Sequence, residues 1–182
     1  MIRLLNENDL DPFYEVVHEG YQADKAYPIS FAAITATKDD ARQWLLENPC
    51  YGWFEGQRLA STISLHMPWS PHPGPKGVPH LGWVTTHPDF KHQGLVTRLY
   101  QWIEAEVFVK ELRVPSVTLG TAECHPWLCK MYESWGFVPF KVVQLPGKKH
   151  RTVFMEKNLA AASARLLEED CRSLGLGGHV QK

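Results

Sequence analysis

The chain has 182 residues, 44% hydrophobic and 21% charged, with a formal net charge of -1 from 19 basic and 20 acidic side chains. That length suits one domain with a substantial core, and so balanced a charge offers no general attraction to polyanions, which argues against a nucleic acid partner. The opening MIRLLNENDL lacks the apolar centre of a secretory signal, no apolar run approaches the ~20 residues of a membrane span, and the four scattered cysteines suit a reducing compartment, so a cytoplasmic protein with no membrane partner is expected.

Ile2 and Leu4 flanking Arg3 predict a short first strand, and Asn8 or Asp9 can then cap a helix carrying Leu10, Phe13, Tyr14, Val17 and Tyr21. An aromatic, proline-containing link from Tyr27 to Phe31 follows. Thr37 and Asp40 form a capping pair for a second helix with the apolar stripe Ala41, Trp44 and Leu45, which Asn48-Pro49 stops. Tyr51 to Phe54 and Leu59 to His66 read as strands joined by a short turn, hence an antiparallel hairpin. The five prolines and two glycines between Met67 and Pro79 exclude a regular element there and predict an exposed loop.

His80 to Thr86 is a further strand, broken at Pro88. A helix follows with Leu95, Leu99, Trp102, Ile103 and Val107 at helical spacing. Pro115 to Gly120 gives another strand, Pro126 is a first-turn residue for a helix, and Gly136 is its left-handed cap. Phe137 to Leu145 and Arg151 to Glu156 complete the strands. Leu159 to Leu174 is helical in pattern, with Ala160, Ala164, Leu167 and Cys171 on one side, so it packs on the domain or on a second subunit of a homodimer, and residues 175–182 form a glycine-rich tail.

The chemistry gathers where the His80–Thr86 strand turns into a helix. The first N–H groups of a helix lack internal partners and sit at the positive end of its dipole, which suits a phosphate. Lys91, His92, Gln93, Gly94, Leu95, Val96 and Thr97 occupy that place, with Gly94 permitting close backbone approach and Lys91 adding a cation. Cys124, His125 and Cys129 lack a second ligand pair at zinc spacing, so no metal is expected.

His87-Pro88-x-x-Lys91-x-x-Gly94-x-Val96 after a strand resembles the coenzyme-A-binding signature of the GNAT superfamily of N-acetyltransferases, usually Arg/Gln-x-x-Gly-x-Gly/Ala. Met131-Tyr132-Glu133-Ser134-Trp135-Gly136-Phe137 resembles that superfamily's second hallmark, a tyrosine near a helix end followed by Gly-Phe. The two stand in the family's order, 38 residues apart from Gly94 to Tyr132. Lys91 departs from the usual arginine or glutamine, and Val96 from the usual small residue.

The resemblance covers residues 1–157 and implies an α+β fold: a mixed, mostly antiparallel sheet of about seven strands flanked by helices, with a cleft between splayed fourth and fifth strands. Residues 158–174 would be an extra C-terminal helical extension. It further implies acetyl-CoA as co-substrate, bound by Val84, Thr86 and the Lys91–Thr97 segment, and direct acetyl transfer to a small-molecule amine through a ternary complex. The Val84 N–H would polarise the thioester carbonyl and Tyr132 would protonate the departing thiolate.

No carboxylate lies in His80-Leu81-Gly82-Trp83, where the family often has its base, so His80 is the candidate base, with His66 and ordered water as alternatives. Tyr14, Tyr21, Tyr27, Phe31, Trp69 and His72 are candidates for the acceptor wall. Competing readings are acetylation of a protein or peptide, and a non-catalytic acyl-CoA-binding sensor. A Rossmann-type nucleotide binder is disfavoured because no GxGxxG follows the first strand.

Overall fold

The computed structural model describes residues 1–173, so the expected tail at 175–182 lies outside the described residues. Its seven strands are β1 (Ile2–Leu4), β2 (Cys50–Glu55), β3 (Arg58–His66), β4 (His80–Thr86), β5 (Ser116–Ala122), β6 (Val138–Gln144) and β7 (Arg151–Asn158). They form one open sheet in the order β1-β2-β3-β4-β5-β7-β6. Every neighbouring pair is antiparallel except β4 and β5, giving the expected mixed, mostly antiparallel sheet.

Two helices cover one face: α1 (Leu10–Gly20) and α2 (Lys38–Glu47). The α2 start is the predicted box, Thr37 and Asp40 each accepting the other's backbone N–H. The α1 start differs from the Asn8 or Asp9 cap. Asn6 accepts the Asn8 N–H, a short 3₁₀ turn at Glu7–Asp9 follows, and Asp9 is held by a forked Arg3 pair at 2.6 and 2.7 Å. Phe13, Val16, Val17, Ala41 and Trp83 are buried together on this side.

The other face carries α3 (Leu95–Trp102), continued by a π-helical stretch over Ile103–Glu111, and α4 (Leu128–Ser134). Leu99, Tyr100, Ile103, Phe108, Tyr132, Trp135 and Phe137 pack here against Ile63, Leu65, Leu119 and Met155. Sheet residues thus alternate between two cores, as the two-residue period of a strand requires. α4 begins later than Pro126 suggested. Pro126 lies in the preceding turn and Trp127, with φ -136°, is the non-helical cap. Gly136 has the predicted left-handed conformation, φ 91°.

α5 (Ala160–Ser173) folds back on its own domain, where buried Ser163 donates to the Val114 carbonyl at 3.0 Å. No helix among the described residues is long and apolar enough to cross a membrane.

Candidate active site

β4 makes the site by changing partners along its length. It pairs with β5 only at His80↔Thr118 and Leu81↔Leu119, so the strands separate beyond Leu81 and open a cleft. Against β3 the register runs Ser64↔Gly82, then Thr62↔Thr85, leaving Trp83 and Val84 opposite Ile63 alone. That is a β-bulge. Trp83 carries it with φ 43°, a conformation uncommon for a bulky residue. Its indole is clamped between Trp44, stacked at 4.0 Å and 6°, and Phe13, at 6.0 Å and 18°.

The extra residue decides which backbone groups face the cleft. The His87 N–H bonds to the Ala60 carbonyl, so ladder alternation places His87 and Thr85 toward β3 and turns Thr86 and Val84 the other way, where β5 has left. The Val84 carbonyl is indeed met from the cleft side by the Tyr21 hydroxyl at 3.2 Å. Without the bulge Val84 would face β3.

At the far end of β4 the chain enters α3 through two left-handed residues, His92 (φ 63°) and Gly94 (φ 69°). A Cβ on Gly94 would meet nothing within 4 Å, so this glycine is needed for its backbone angle, and the space beside it is open. The Arg98 guanidinium donates to the Gln93 carbonyl at 2.9 Å and holds the turn. The first N–H groups of α3, from Leu95 onward, are thereby presented to the cleft mouth.

A cavity of about 810 Å³ joins these parts. Val84, Thr86, Lys91, His92, Gly94, Leu95, Val96, Tyr132 and His80 line it, nine of the eleven residues singled out from the sequence. Gln93 and Thr97 do not. Gln93 is exposed, and the Thr97 hydroxyl accepts from the Trp135 indole N–H at 3.2 Å, which ties α3 to α4. The space is of ligand size, and unpartnered donors line one end of it, so the residues fit an acyl-coenzyme with its pyrophosphate at α3 and its thioester arm along Val84 and Thr86.

Tyr132 is 6% exposed, and its hydroxyl has no hydrogen-bond partner among the described residues. Burial, then the neighbouring Asp24 and Cys129, hold the phenol's pKa above its ordinary value, so it stays protonated. His80 places Nδ1 2.8 Å from the Thr118 hydroxyl. Burial, with His66 close by, lowers it to about 4. His66 is lowered too, chiefly by burial, and packs edge-on against Trp44.

Of the six candidate acceptor-wall residues, Tyr21 and Phe31 line the cavity. Tyr14 packs beside His18, Tyr27 lies against His125, and Trp69 is 77% exposed. The proline-rich loop bearing Trp69 and His72 therefore contributes neither residue. Sequence reasoning missed Asp24, His125, Lys148 and His150, which all line the cavity. Ser30 gathers the last two: its carbonyl accepts from Lys148 at 2.9 Å and its N–H donates to His150 Nδ1 at 3.2 Å. These partners are separated by more than a hundred residues, so no local pattern signals them.

Comparison with known proteins agrees with this geometry. Residues 10–137 match the model of the acetyltransferase (GNAT) family. The chain is 42% identical over 157 residues to the S-(2-succino)cysteine N-acetyltransferase of Bacillus subtilis, covering 86% of this chain and 94% of that one. It is 28% identical over 138 residues to the S-alkylcysteine N-acetyltransferase of the same organism, covering 75% and 78%. Among solved structures, the ribosomal-protein-S18-alanine N-acetyltransferase of Escherichia coli superposes with a TM-score of 0.68 at 14% identity, covering 88% of this chain and 94% of that one. A Salmonella typhimurium acetyltransferase solved with acetyl-CoA superposes at 0.66 with 17% identity, covering 87% and 93%. The chain belongs to the acetyltransferase (GNAT) family and is an N-acetyltransferase that takes acetyl-CoA as its donor.

Proposed function

We propose that this protein acetylates the α-amine of a cysteine whose sulfur carries an alkyl or carboxyalkyl group. The observation that carries this reading is the 42% identity, across 86% of the chain, to an enzyme named for S-(2-succino)cysteine. The cavity's charges support it. Two lysines line the wall, Lys91 beside the α3 start and Lys148 held at Ser30, against Asp24 as the one carboxylate among the described lining residues; of the lining histidines, burial keeps His66, His80 and His150 below the ordinary imidazole pKa and so favours their neutral forms. Lys148 offers a carboxylate of such an acceptor a cation, and Asp24 offers its amine an anion.

Acetyl-CoA supplies the activated acetyl group. The Leu95 and Val96 N–H groups, with Lys91, hold the pyrophosphate at the α3 start, and the Thr86 backbone aligns the pantetheine arm. The Val84 N–H donates to the thioester oxygen as negative charge grows there, an interaction strongest in a site that excludes water. Tyr132 donates its proton to the leaving sulfur. His80 is the first acceptor of the amine's proton. Its pKa of about 4 leaves it neutral and able to accept at pH 7, but so weak a base holds the proton only in passing and releases it to water. Transfer is direct, within a ternary complex. The free thiols of Cys50, Cys124 and Cys129 suit a reducing, cytoplasmic setting.

A panel of acceptors tests the reading: S-(2-succino)cysteine, S-alkylcysteines, other amino acids, and a peptide with an N-terminal alanine. Release of free coenzyme thiol is followed with each. We expect kcat/KM for an S-substituted cysteine to exceed that of the peptide and the unsubstituted amino acids; the opposite ranking would contradict it.

A further inference from the structure

Asp24 is an acidic side chain in a place where a carboxylate is costly without a cationic partner. Its side chain is 10% exposed, on the short 3₁₀ turn Gln22–Ala26 that follows α1. One oxygen is occupied: His125 Nε2 lies 3.2 Å from Asp24 Oδ1, and the His125 side chain is fully buried. The other oxygen, Oδ2, has no hydrogen-bond partner among the described residues, and it is not sealed off. The residue lines the cavity, and its charge adds to the burial that already raises the pKa of both the Tyr132 and Tyr21 phenols. Tyr21 in turn touches the Val84 carbonyl at the bulge.

We propose that Asp24 Oδ2 receives the α-ammonium of the incoming acceptor and holds that nitrogen on the Tyr132 and Val84 side of the cavity, with His125 fixing the carboxylate's orientation. This rests on the reading of the acceptor as an amino acid bearing an α-amine. The charge pattern selects for it: an ammonium entering a wall of lysines and histidines has one carboxylate to pair with. A buried charge-assisted pair is strong, whereas a neutral group leaves the same carboxylate desolvated and unpaired. Asp24 therefore discriminates for the amine and, by fixing its position, limits reaction to that nitrogen.

The test uses the full chain loaded with coenzyme A, which permits binding without turnover. Calorimetry compares S-(2-succino)cysteine with the same molecule carrying hydrogen in place of the α-amine. Wild type should bind the amine form at least about tenfold more tightly, a ratio expected of a buried charged pair. Asp24→Asn and Asp24→Ser should bind the two forms within about twofold of each other, while coenzyme A affinity is unchanged. That last measurement reports that each variant is folded, and a general loosening of the cavity would weaken both forms alike.

Equal binding of the two forms by wild type would overturn the proposal, as would a wild-type ratio retained in the variants. Should no S-substituted cysteine bind, the acceptor reading fails. The same pair of measurements is then made with whichever amine the panel finds acetylated, and Asp24 is judged on that amine.

Discussion

Tyr132 keeps its proton because burial denies a phenolate the water it would need, and nearby Asp24 adds repulsion. An acid with a raised pKa remains loaded through neutral and into alkaline pH, so kcat should show no alkaline fall below pH ~10 from this group. Tyr132→Phe should lower kcat about 100-fold or more with little change in the acetyl-CoA KM, read by steady-state kinetics. His80 works in the other direction. Its folded pKa of about 4 lies below its ordinary 6.5, so as pH falls through that interval the unfolded chain takes a proton that the folded chain refuses. Stability is accordingly lost between about pH 6.5 and 4, by roughly 3 kcal/mol if His80 acted alone, and His66 adds in the same direction. His80→Asn should flatten that part of a urea-derived stability profile. Both positions were singled out in the sequence, Tyr132 from its motif and His80 from its place on the strand, and both line the cavity. Asp24 and His125 were not, because they meet only through a contact spanning 101 positions.

At the level of elements, one bulge and one helix start do most of the positioning. Trp83 tolerates its positive φ because Phe13 and Trp44 hold its ring, so packing on the α1 and α2 face sets the direction of the Val84 N–H on the cleft side. Trp83→Ala should cost about 3–5 kcal/mol in denaturant unfolding and reduce kcat as well, since the clamp on the bulge is gone. Gly94→Ala meets no steric obstacle at φ 69°, so its effect is conformational: about 1 kcal/mol of stability, with weaker acetyl-CoA binding measured by titration. Strand and helix identities were readable because apolar periodicity, capping pairs and proline breaks agree along the chain. The bulge was not, since Leu81-Gly82-Trp83-Val84 reads as an unbroken strand and only pairing with β3 exposes the extra residue. The late start of α4 has a similar cause: Pro126 is permitted in a first helical turn, but the chain there bends back instead, bringing His125 to Asp24.

Across the whole molecule, the cavity is a shared product of segments that carry little signal alone. In the proposed mechanism α3 brings the phosphate end, β4 the carbonyl end and α4 the acid. The link after α1 joins the turn between β6 and β7 through Ser30 and lines the part of the cavity proposed for the acceptor. Family resemblance in the sequence pointed to the first three, and residues of each line the cavity. The fourth depends on Lys148 and His150 reaching a serine 118 and 120 residues away. The arrangement as a whole is tested by an experimental structure of the protein with coenzyme A and an N-acetylated S-substituted cysteine bound together. The coenzyme sulfur should lie within hydrogen-bonding reach of the Tyr132 hydroxyl, about 3.5 Å, with the pyrophosphate on the N–H groups that open α3 and the acetylated nitrogen beside Asp24. A coenzyme arm outside the opening between β4 and β5, or a product seated away from Tyr132, would contradict it.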